Sequence, residues 1–231
     1  MTIPEVFAKF PKPYWKLKVE AGDGPHDGSK IAGTPLLDAT EKWPLCGNCK
    51  KEMPLFLQLN TSSLPEPIKK SFGPGWVQLF YCTNEAPLCE VEVESYFPFS
   101  SAVTARFINP TEKKPGKYPE EDPFPATQIV GWTEKADYPQ PIEFPTIELA
   151  QAEEEAYAAN FPAPGDKLGG WPRWTQGANY PGCPVCSKTM SLLFQIDSED
   201  HLPFMFGDVG TSQLTFCEDH PDQLAFAWDS H

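Results

Sequence analysis

The sequence has little positive charge and few groups suited to catalysis. It carries 18 lysines and arginines against 32 aspartates and glutamates, only four histidines, and a formal net charge of −14. This balance repels phosphate, so no nucleic acid is expected as a partner. The chain contains no Gly-x-x-x-x-Gly-Lys-Ser/Thr, Gly-x-Gly-x-x-Gly, His-Glu-x-x-His or Gly-x-Ser-x-Gly motif. We therefore expect a protein that is not an enzyme.

Long apolar runs are also missing. No stretch approaches eighteen apolar residues, and residues 1–10 show neither the basic nor the apolar segment of a signal peptide. No membrane contact and a cytoplasmic location are therefore expected, with a monomer and an oligomer both open. In such a location seven cysteines are more typical of thiolate ligands than of disulfides.

The most informative feature that is present is a cysteine pattern that occurs twice. A shift of 137 residues places residues 30–59 on residues 167–196 without a gap, and ten of the thirty positions are identical. Self-similarity of this kind indicates a tandem duplication. The identical pairs are Lys30/Lys167, Gly33/Gly170, Pro35/Pro172, Pro44/Pro181, Cys46/Cys183, Cys49/Cys186, Lys51/Lys188, Met53/Met190, Leu55/Leu192 and Gln58/Gln195.

The repeat and the composition together predict the fold class. Twenty-seven prolines disfavour long helices, whereas 16 phenylalanines and 7 tryptophans can build a core. We predict a β-rich α+β fold, a tandem duplication of a mostly antiparallel-sheet module with zinc knuckles. The first module spans 1–108 (core 30–92), a proline-rich linker 109–127, and the second module 128–231 (core 167–228). Strands are predicted at 54–59, 76–82, 91–96, 191–197 and 213–217, and a helix at 147–160.

The repeated cysteines form two predicted zinc sites. Structural Zn²⁺ favours four tetrahedral nitrogen or sulfur ligands, and Cys-x-x-Cys supplies two of them on one turn. Sites with four protein ligands are closed, so two structural rather than catalytic ions are expected. Buried free thiols are the alternative, and in the second set Asp219 or His201 can replace His220. The predicted ligands are Cys46, Cys49, Cys82 and Cys89 in the first set, and Cys183, Cys186, Cys217 and His220 in the second.

Five further residues are candidates for binding. Trp171 and Trp174 lie in a segment rich in glycine, tryptophan and arginine, which is typical either of a recognition surface or, as we favour, of packing under the sheet. Gln58 and Gln195 occupy equivalent places in apolar strands, where backbone pairing is favoured over contact with an extended peptide. Asp208 can cap a turn, which we favour, or contact a ligand.

Several of these motifs resemble known families. Leu168-Gly-Gly-Trp-Pro-Arg-Trp-Thr-Gln176, the strand 192–197 and Phe206-Gly-Asp-Val-Gly210 resemble the bacterial YwqG-like family of unknown function. Cys46-x-x-Cys49 with Met53, Phe56 and Gln58, followed by Phe80-Tyr-Cys82-x6-Cys89, is similar to the programmed cell death protein 2 family. The two families are grouped as TYPP domains.

The resemblance implies a duplicated, β-rich fold without known catalysis. Its eukaryotic members are chaperones for a nascent ribosomal protein, and bacterial relatives are linked to toxin immunity. We therefore expect a zinc-stabilised protein-binding module whose partner is a basic protein or peptide. The alternatives are an enzyme or small-molecule binder with a pocket of Trp171, Trp174 and Asp208, and a structural subunit of an assembly.

Overall fold

A computed structural model describes residues 3–116, 123–147 and 149–231 of the chain. Part of the predicted linker 109–127 lies outside these described residues. The described helices are short: α1 (Glu5–Ala8), α2 (Glu66–Phe72), α3 (Cys89–Glu92) and α4 (Gln151–Ala158). The described strands are β1 (Lys12–Ala21), β2 (Lys30–Ile31), β3 (Leu36–Asp38), β4 (Leu55–Asn60), β5 (Trp76–Tyr81), β6 (Val103–Ile108), β7 (Lys113–Pro115), β8 (Thr127–Asp137), β9 (Lys167–Gly169), β10 (Ser191–Asp197), β11 (Thr211–Phe216) and β12 (Leu224–Asp229).

Ten of these strands form one antiparallel sheet in the order β12-β11-β10-β9-β1-β8-β2-β4-β5-β6. β3 and β7 form a separate two-stranded ribbon. The sheet curls until its two edge strands, β6 and β12, approach each other. The backbone N–H of Trp228 in β12 donates to the carbonyl of Tyr96, 3.2 Å away, so the β5–β6 connection helps to bridge the remaining gap. The prediction of a β-rich, mostly antiparallel fold is confirmed.

Two long strands at the centre of the sheet join its two flanks. The long strands β1 and β8 pair with each other, β1 continues to β9 and β8 continues to β2. One flank therefore contains β2, β4, β5 and β6, and the other contains β9, β10, β11 and β12. The boundaries of the two predicted modules stay a prediction, and the sheet runs without a break from one flank to the other.

In each flank, residues that face each other on neighbouring strands form a continuous row across the sheet, and the two rows occupy equivalent positions. In the first flank Lys30 pairs with Gln58, Gln58 with Gln78, and Gln78 with Arg106. The second flank repeats the order, and only its last member differs. The second row is Lys167, Gln195, Gln213 and Ala227.

The inner face of the curled sheet holds one core shared by both flanks. Phe56 of β4 is fully buried, and its ring centroid lies 5.0 Å from Phe204 and 5.1 Å from Tyr81. Tyr81 of the first flank also contacts Phe226 of the second, with centroids 5.7 Å apart. These aromatic contacts across the two flanks supply burial that neither flank has alone.

Two of the predicted elements differ from the structure. The strand predicted at 91–96 is wrong, because Cys89–Glu92 form α3 and turns follow. The helix predicted at 147–160 is shorter, with α4 at Gln151–Ala158; position 148 lies outside the described residues. Helix α4 begins where the Ala150 carbonyl accepts the N–H groups of Glu153 and Glu154.

Candidate metal centres

The first ligand set lies at one end of the first flank. Cys46 and Cys49 occupy a tight turn between β3 and β4, closed by a bond from the Cys46 N–H to the Lys51 carbonyl at 2.8 Å. Lys50 adopts the left-handed conformation that this turn requires, with φ at 63°. Cys82 directly follows β5 and Cys89 opens α3. The four side chains converge although they come from three separate segments.

The spacing of these four sulfur atoms fits a tetrahedral ion. The Sγ atoms of Cys46 and Cys89 are 3.9 Å apart, and those of Cys49 and Cys82 are 3.7 Å apart. Sulfurs about 2.3 Å from one zinc ion in a tetrahedron are separated by about 3.8 Å. A disulfide needs about 2.05 Å, so these pairs are not bonded to each other. The N–H of Asn48 donates to the Cys46 sulfur at 3.4 Å.

The second ligand set repeats this construction in the second flank. The Cys183 N–H donates to the Lys188 carbonyl at 2.9 Å, and Ser187 has a φ of 60°. Cys217 directly follows β11, and its Sγ atom lies 3.6 Å from that of Cys186. Each of these features has its counterpart in the first turn.

His220 completes the second set from the short β11–β12 connection. Its Nδ1 atom lies 3.8 Å from the Cys183 sulfur and 3.7 Å from the Cys217 sulfur. The structure places the alternative ligands elsewhere: Asp219 pairs with Lys188 at 2.5 Å, and His201 pairs with Asp166 at 3.0 Å. The set brought together is therefore Cys183, Cys186, Cys217 and His220.

The electrostatics of both clusters favour a bound cation. Burial raises the pKa of the thiols of Cys82, Cys89 and Cys217. Burial also acts on Cys183, but backbone N–H donors and neighbouring thiols lower its pKa to about 7. One thiolate therefore forms readily, and each further thiolate is opposed by the first. A divalent cation removes this repulsion and allows every cysteine to ionise.

The donor sets fit zinc as a structural ion. Three or four thiolates with at most one imidazole, in a tetrahedral arrangement, are the ligands that zinc prefers at closed sites. Cys46, Cys82, Cys89, Cys183 and Cys217 are buried to within 2% of full burial. A metal ion held by these four protein ligands would leave no position for a reacting water and would cross-link the turn to the strand end.

A third cluster, which the sequence patterns did not predict, lies beside β10. His201 Nδ1 is 3.0 Å from Asp166 and 3.4 Å from Asp200. Hydrogen bonds to Asp166 and then Asp200 raise the pKa of His201 to about 10. Burial raises the pKa of Asp166, but His201 and the N–H of Asp197 favour its carboxylate form. The protonated ring is thus the cation of this cluster. No local motif announces it, because Asp166 and His201 are far apart in the chain.

The tryptophans predicted for binding make intramolecular contacts. Trp171 Nε1 donates to the Phe10 carbonyl at 3.0 Å, and the Lys12 ammonium lies 3.4 Å from a Trp171 ring centroid. Trp174 is buried and its Nε1 donates to Glu143 at 2.7 Å. Trp174 also lines a cavity at the outer face of β11 and β12. Asp208 lies apart from both, exposed in the turn before β11.

The two glutamines predicted for binding hold equivalent loops. Gln58 Oε1 accepts the Leu36 N–H at 2.7 Å, and its Nε2 donates to the Gly28 carbonyl at 2.8 Å. Gln195 makes the same two bonds to residues shifted by 137, Arg173 and Gly165, each at 2.9 Å. Both amides are fully buried and bind backbone groups of these loops, and Gln58 Oε1 also accepts Gln78 Nε2 at 2.8 Å.

The fold and the two clusters define a class: a curled antiparallel sheet that carries a closed candidate metal centre at equivalent points of its two flanks. The chain belongs to the family described as Domain of unknown function (DUF1963), which matches residues 29–227 and therefore includes both clusters. It is also similar to the Uncharacterized protein YpfL of Salmonella typhimurium (strain LT2), at 46% identity over 40 residues. That match covers 17% of this chain and 9% of the length of YpfL.

The described residues contain no helix that is both long enough and apolar enough to cross a membrane. The proposed relation to the YwqG-like and programmed cell death protein 2 families stays a prediction.

Proposed function

We propose that this protein is a non-enzymatic, protein-binding module that contains two structural zinc ions and binds a basic protein or peptide. The observation that carries the zinc assignment is the convergence of two sets of four nitrogen and sulfur ligand atoms at tetrahedral spacing. Each ion joins a Cys-x-x-Cys turn to the end of a long hairpin, where the chain has little regular structure of its own. Zinc binding is then part of the folding free energy.

The proposal includes a tandem duplication of the module. Ten identities in thirty positions support it, as do the matching bonds of Gln58 and Gln195. Lys30 and Lys167 add a third correspondence: both are buried, and each donates to the carbonyl four residues later. The pairing of β1 with β9, and of β8 with β2, is the arrangement expected when two copies exchange their first strands.

Charge supports a basic partner. The net charge is −14, and thiolates in filled zinc sites would make the balance still more negative. An acidic surface attracts a basic partner and accelerates its association. Together with the resemblance to ribosomal-protein chaperones, this favours a cytoplasmic chaperone of a basic ribosomal protein. A toxin-immunity protein is the other version of the same proposal.

A small-molecule binder or enzyme that uses Trp171, Trp174 and Asp208 is less well supported. Trp174 faces Glu143, Trp171 packs against Lys12, and Asp208 lies apart from both. A purely structural subunit is the remaining alternative.

Native mass spectrometry tests the metal assignment. The wild-type chain is expected to carry two zinc ions, and Cys49→Ser or Cys186→Ser is expected to lose one each, because the two sites lie in different flanks. Thr189→Ser, an exposed position in the second turn, is the matched control and is expected to keep both ions. A metal-free wild-type chain with seven titratable thiols would contradict the zinc assignment.

Purification from the source cell at low salt tests the partner. The expected result is one dominant basic protein that dissociates at high salt, because screening weakens contacts between an acidic and a basic surface. Its identity separates the chaperone from the immunity protein. A chain with both zinc ions and no associated basic protein would contradict the binding function while leaving the metal assignment intact.

A further inference from the structure

The two flanks differ at the end of their paired rows. Lysine and two glutamines recur in both rows, but the fourth position is Arg106 in the first flank and Ala227 in the second. The difference lies on the outer face of the sheet, opposite the shared core. Its consequences are visible in what each glutamine contacts.

In the first flank the side chain of Arg106 covers the end of the row on the outer face of the sheet. Arg106 directs Nε and Nη2 at Gln78 Oε1, at 3.0 and 2.8 Å, and pairs through Nη1 with Glu41. The guanidinium carbon lies 5.3 Å from the Phe80 ring centroid. A planar cation thus bridges an amide oxygen and a carboxylate beside an aromatic ring.

In the second flank the equivalent space is a cavity. Ala227 replaces the arginine, and a cavity of about 70 Å³ opens against it. The cavity is lined by Trp174, Gln176, Asn179, Gln213, Ala227 and Asp229, among others. Because a liquid water molecule occupies about 30 Å³, this space holds about two waters or one small polar group of similar volume.

The cavity wall includes the carboxylate of Asp229, one oxygen of which is without a donor among the described residues. Asp229 Oδ2 accepts the N–H groups of Thr175 and Gln176 at 2.9 and 2.8 Å. Its Oδ1 is buried, and within the described part of the chain no donor reaches it. Asp229 lies two residues beyond Ala227, hence on the same face of β12 as the missing side chain. A buried carboxylate oxygen without a donor calls for an external one.

The side-chain amide of Gln213 also has an oxygen that can accept a hydrogen bond. Gln213 Nε2 donates to the carbonyls of Arg173 and Thr211, at 3.3 and 3.2 Å. Among the described residues no group donates to Gln213 Oε1, whereas its counterpart Gln78 Oε1 receives two bonds from Arg106. The second flank therefore also offers an amide oxygen and a carboxylate oxygen, although Asp229 is not the positional counterpart of Glu41, and among the described residues no cation bridges the two.

We infer that this cavity, the arginine socket, binds the guanidinium group of an arginine side chain supplied by a partner protein. A guanidinium group carries several N–H donors in one plane and can address an amide oxygen and a carboxylate together, whereas an ammonium group is a point charge. The socket rests on the proposed function only in that the arginine belongs to a basic partner. Exposed Gln176 and Asn179 in its wall leave it reachable from solvent.

Titration with blocked amino acids, followed by NMR signals of the Trp174 indole and Gln213 amide, tests the socket without any knowledge of the partner. N-acetyl-arginine amide is expected to shift both signals saturably. It is expected to bind at least about ten-fold more tightly than the citrulline analogue, a neutral isostere, and than the lysine analogue. Asp229→Asn is expected to lower arginine affinity by about the same factor.

Ala227→Arg supplies the missing side chain within the protein. This variant is expected to lose arginine binding and to gain thermal stability, because its own guanidinium reaches Asp229 and Gln213. Equal responses to arginine and citrulline, or arginine binding that survives both substitutions, would overturn the inference. Equal binding of lysine would overturn the assignment to arginine. Arginine binding with no basic protein captured from the cell would keep the socket and contradict only the proposed function.

Discussion

Asp137 anchors the end of β8 to the second flank through a fully buried ion pair, and its replacement by alanine is the most revealing single change. Its Oδ2 accepts the Lys167 ammonium at 2.8 Å and the Trp171 N–H at 3.0 Å. Its Oδ1 accepts the N–H groups of Ala163 and Tyr138 at 2.7 and 3.0 Å. Both charged side chains have zero exposure, so Asp137→Ala leaves a buried ammonium without its counter-ion. Loss of one partner of such a pair costs about 3–5 kcal/mol.

Asp23 provides a matched comparison in the first flank. It receives the Lys30 ammonium at 2.6 Å and the Thr34 N–H at 3.0 Å, the same two kinds of donor. Asp23 is however 39% exposed, so water can enter and solvate Lys30 after truncation. Asp23→Ala is therefore expected to cost about 1–2 kcal/mol, between the values for exposed and buried pairs.

Urea unfolding of the zinc-loaded protein at neutral pH, with the free energy extrapolated to water, measures both changes. Lys167→Met is a third variant, because it leaves Asp137 with three backbone N–H donors and is expected to cost less than Asp137→Ala. Equal losses for Asp23→Ala and Asp137→Ala would refute the argument from burial. A larger loss for Lys167→Met than for Asp137→Ala would show that the stranded ammonium is not the main cost.

Two further predictions concern the pH dependence of stability and the shared core. The pKa of His201, raised from 6.5 to about 10 by Asp166 and Asp200, gives a stabilisation that is complete below pH 6.5 and lost as the pH rises towards 10. Its upper limit is about 4–5 kcal/mol, and His201→Gln is expected to flatten the unfolding free energy over this range; an unchanged slope would contradict the ion pair. Phe56→Ala is expected to cost about 3–5 kcal/mol, because the ring is fully buried between the flanks. The exposed Phe97→Ala should cost about 0.5 kcal/mol, and equal losses in calorimetry would contradict the shared core.

Local patterns predicted four of the strands and the residues that converge in the two clusters. The apolar runs that became β4, β5, β10 and β11 are short and bounded by turn residues, so their type follows from composition alone. The ligand sets followed from the repetition of Cys-x-x-Cys with a later pair of ligands. Repetition was informative because it compares one part of the chain with another, which a single motif does not.

Pairing and packing between distant segments were not predictable in this way. The alternation of apolar and acidic residues at 91–96 suggested a strand, but Cys89 turns inward to its cluster and Ser95 contacts Tyr81, so the segment folds into α3 and turns. The pairing of β1 with β8 between the flanks leaves no mark in either strand. The pair of Asp166 and His201 likewise depends on two segments that only the fold brings together.

The two flanks share the first three positions of their rows and diverge at the fourth. The buried lysine and glutamines hold loops in the same way in both flanks, so these positions tolerate little change once the copies share a core. The fourth position of each row does not hold these loops. Arg106 closes the first flank with a group from the chain itself, whereas Ala227 leaves the second flank open beside an unpaired carboxylate oxygen. Under the proposed duplication and binding function, the first flank is closed by its own arginine and the second is available for recognition at the inferred arginine socket.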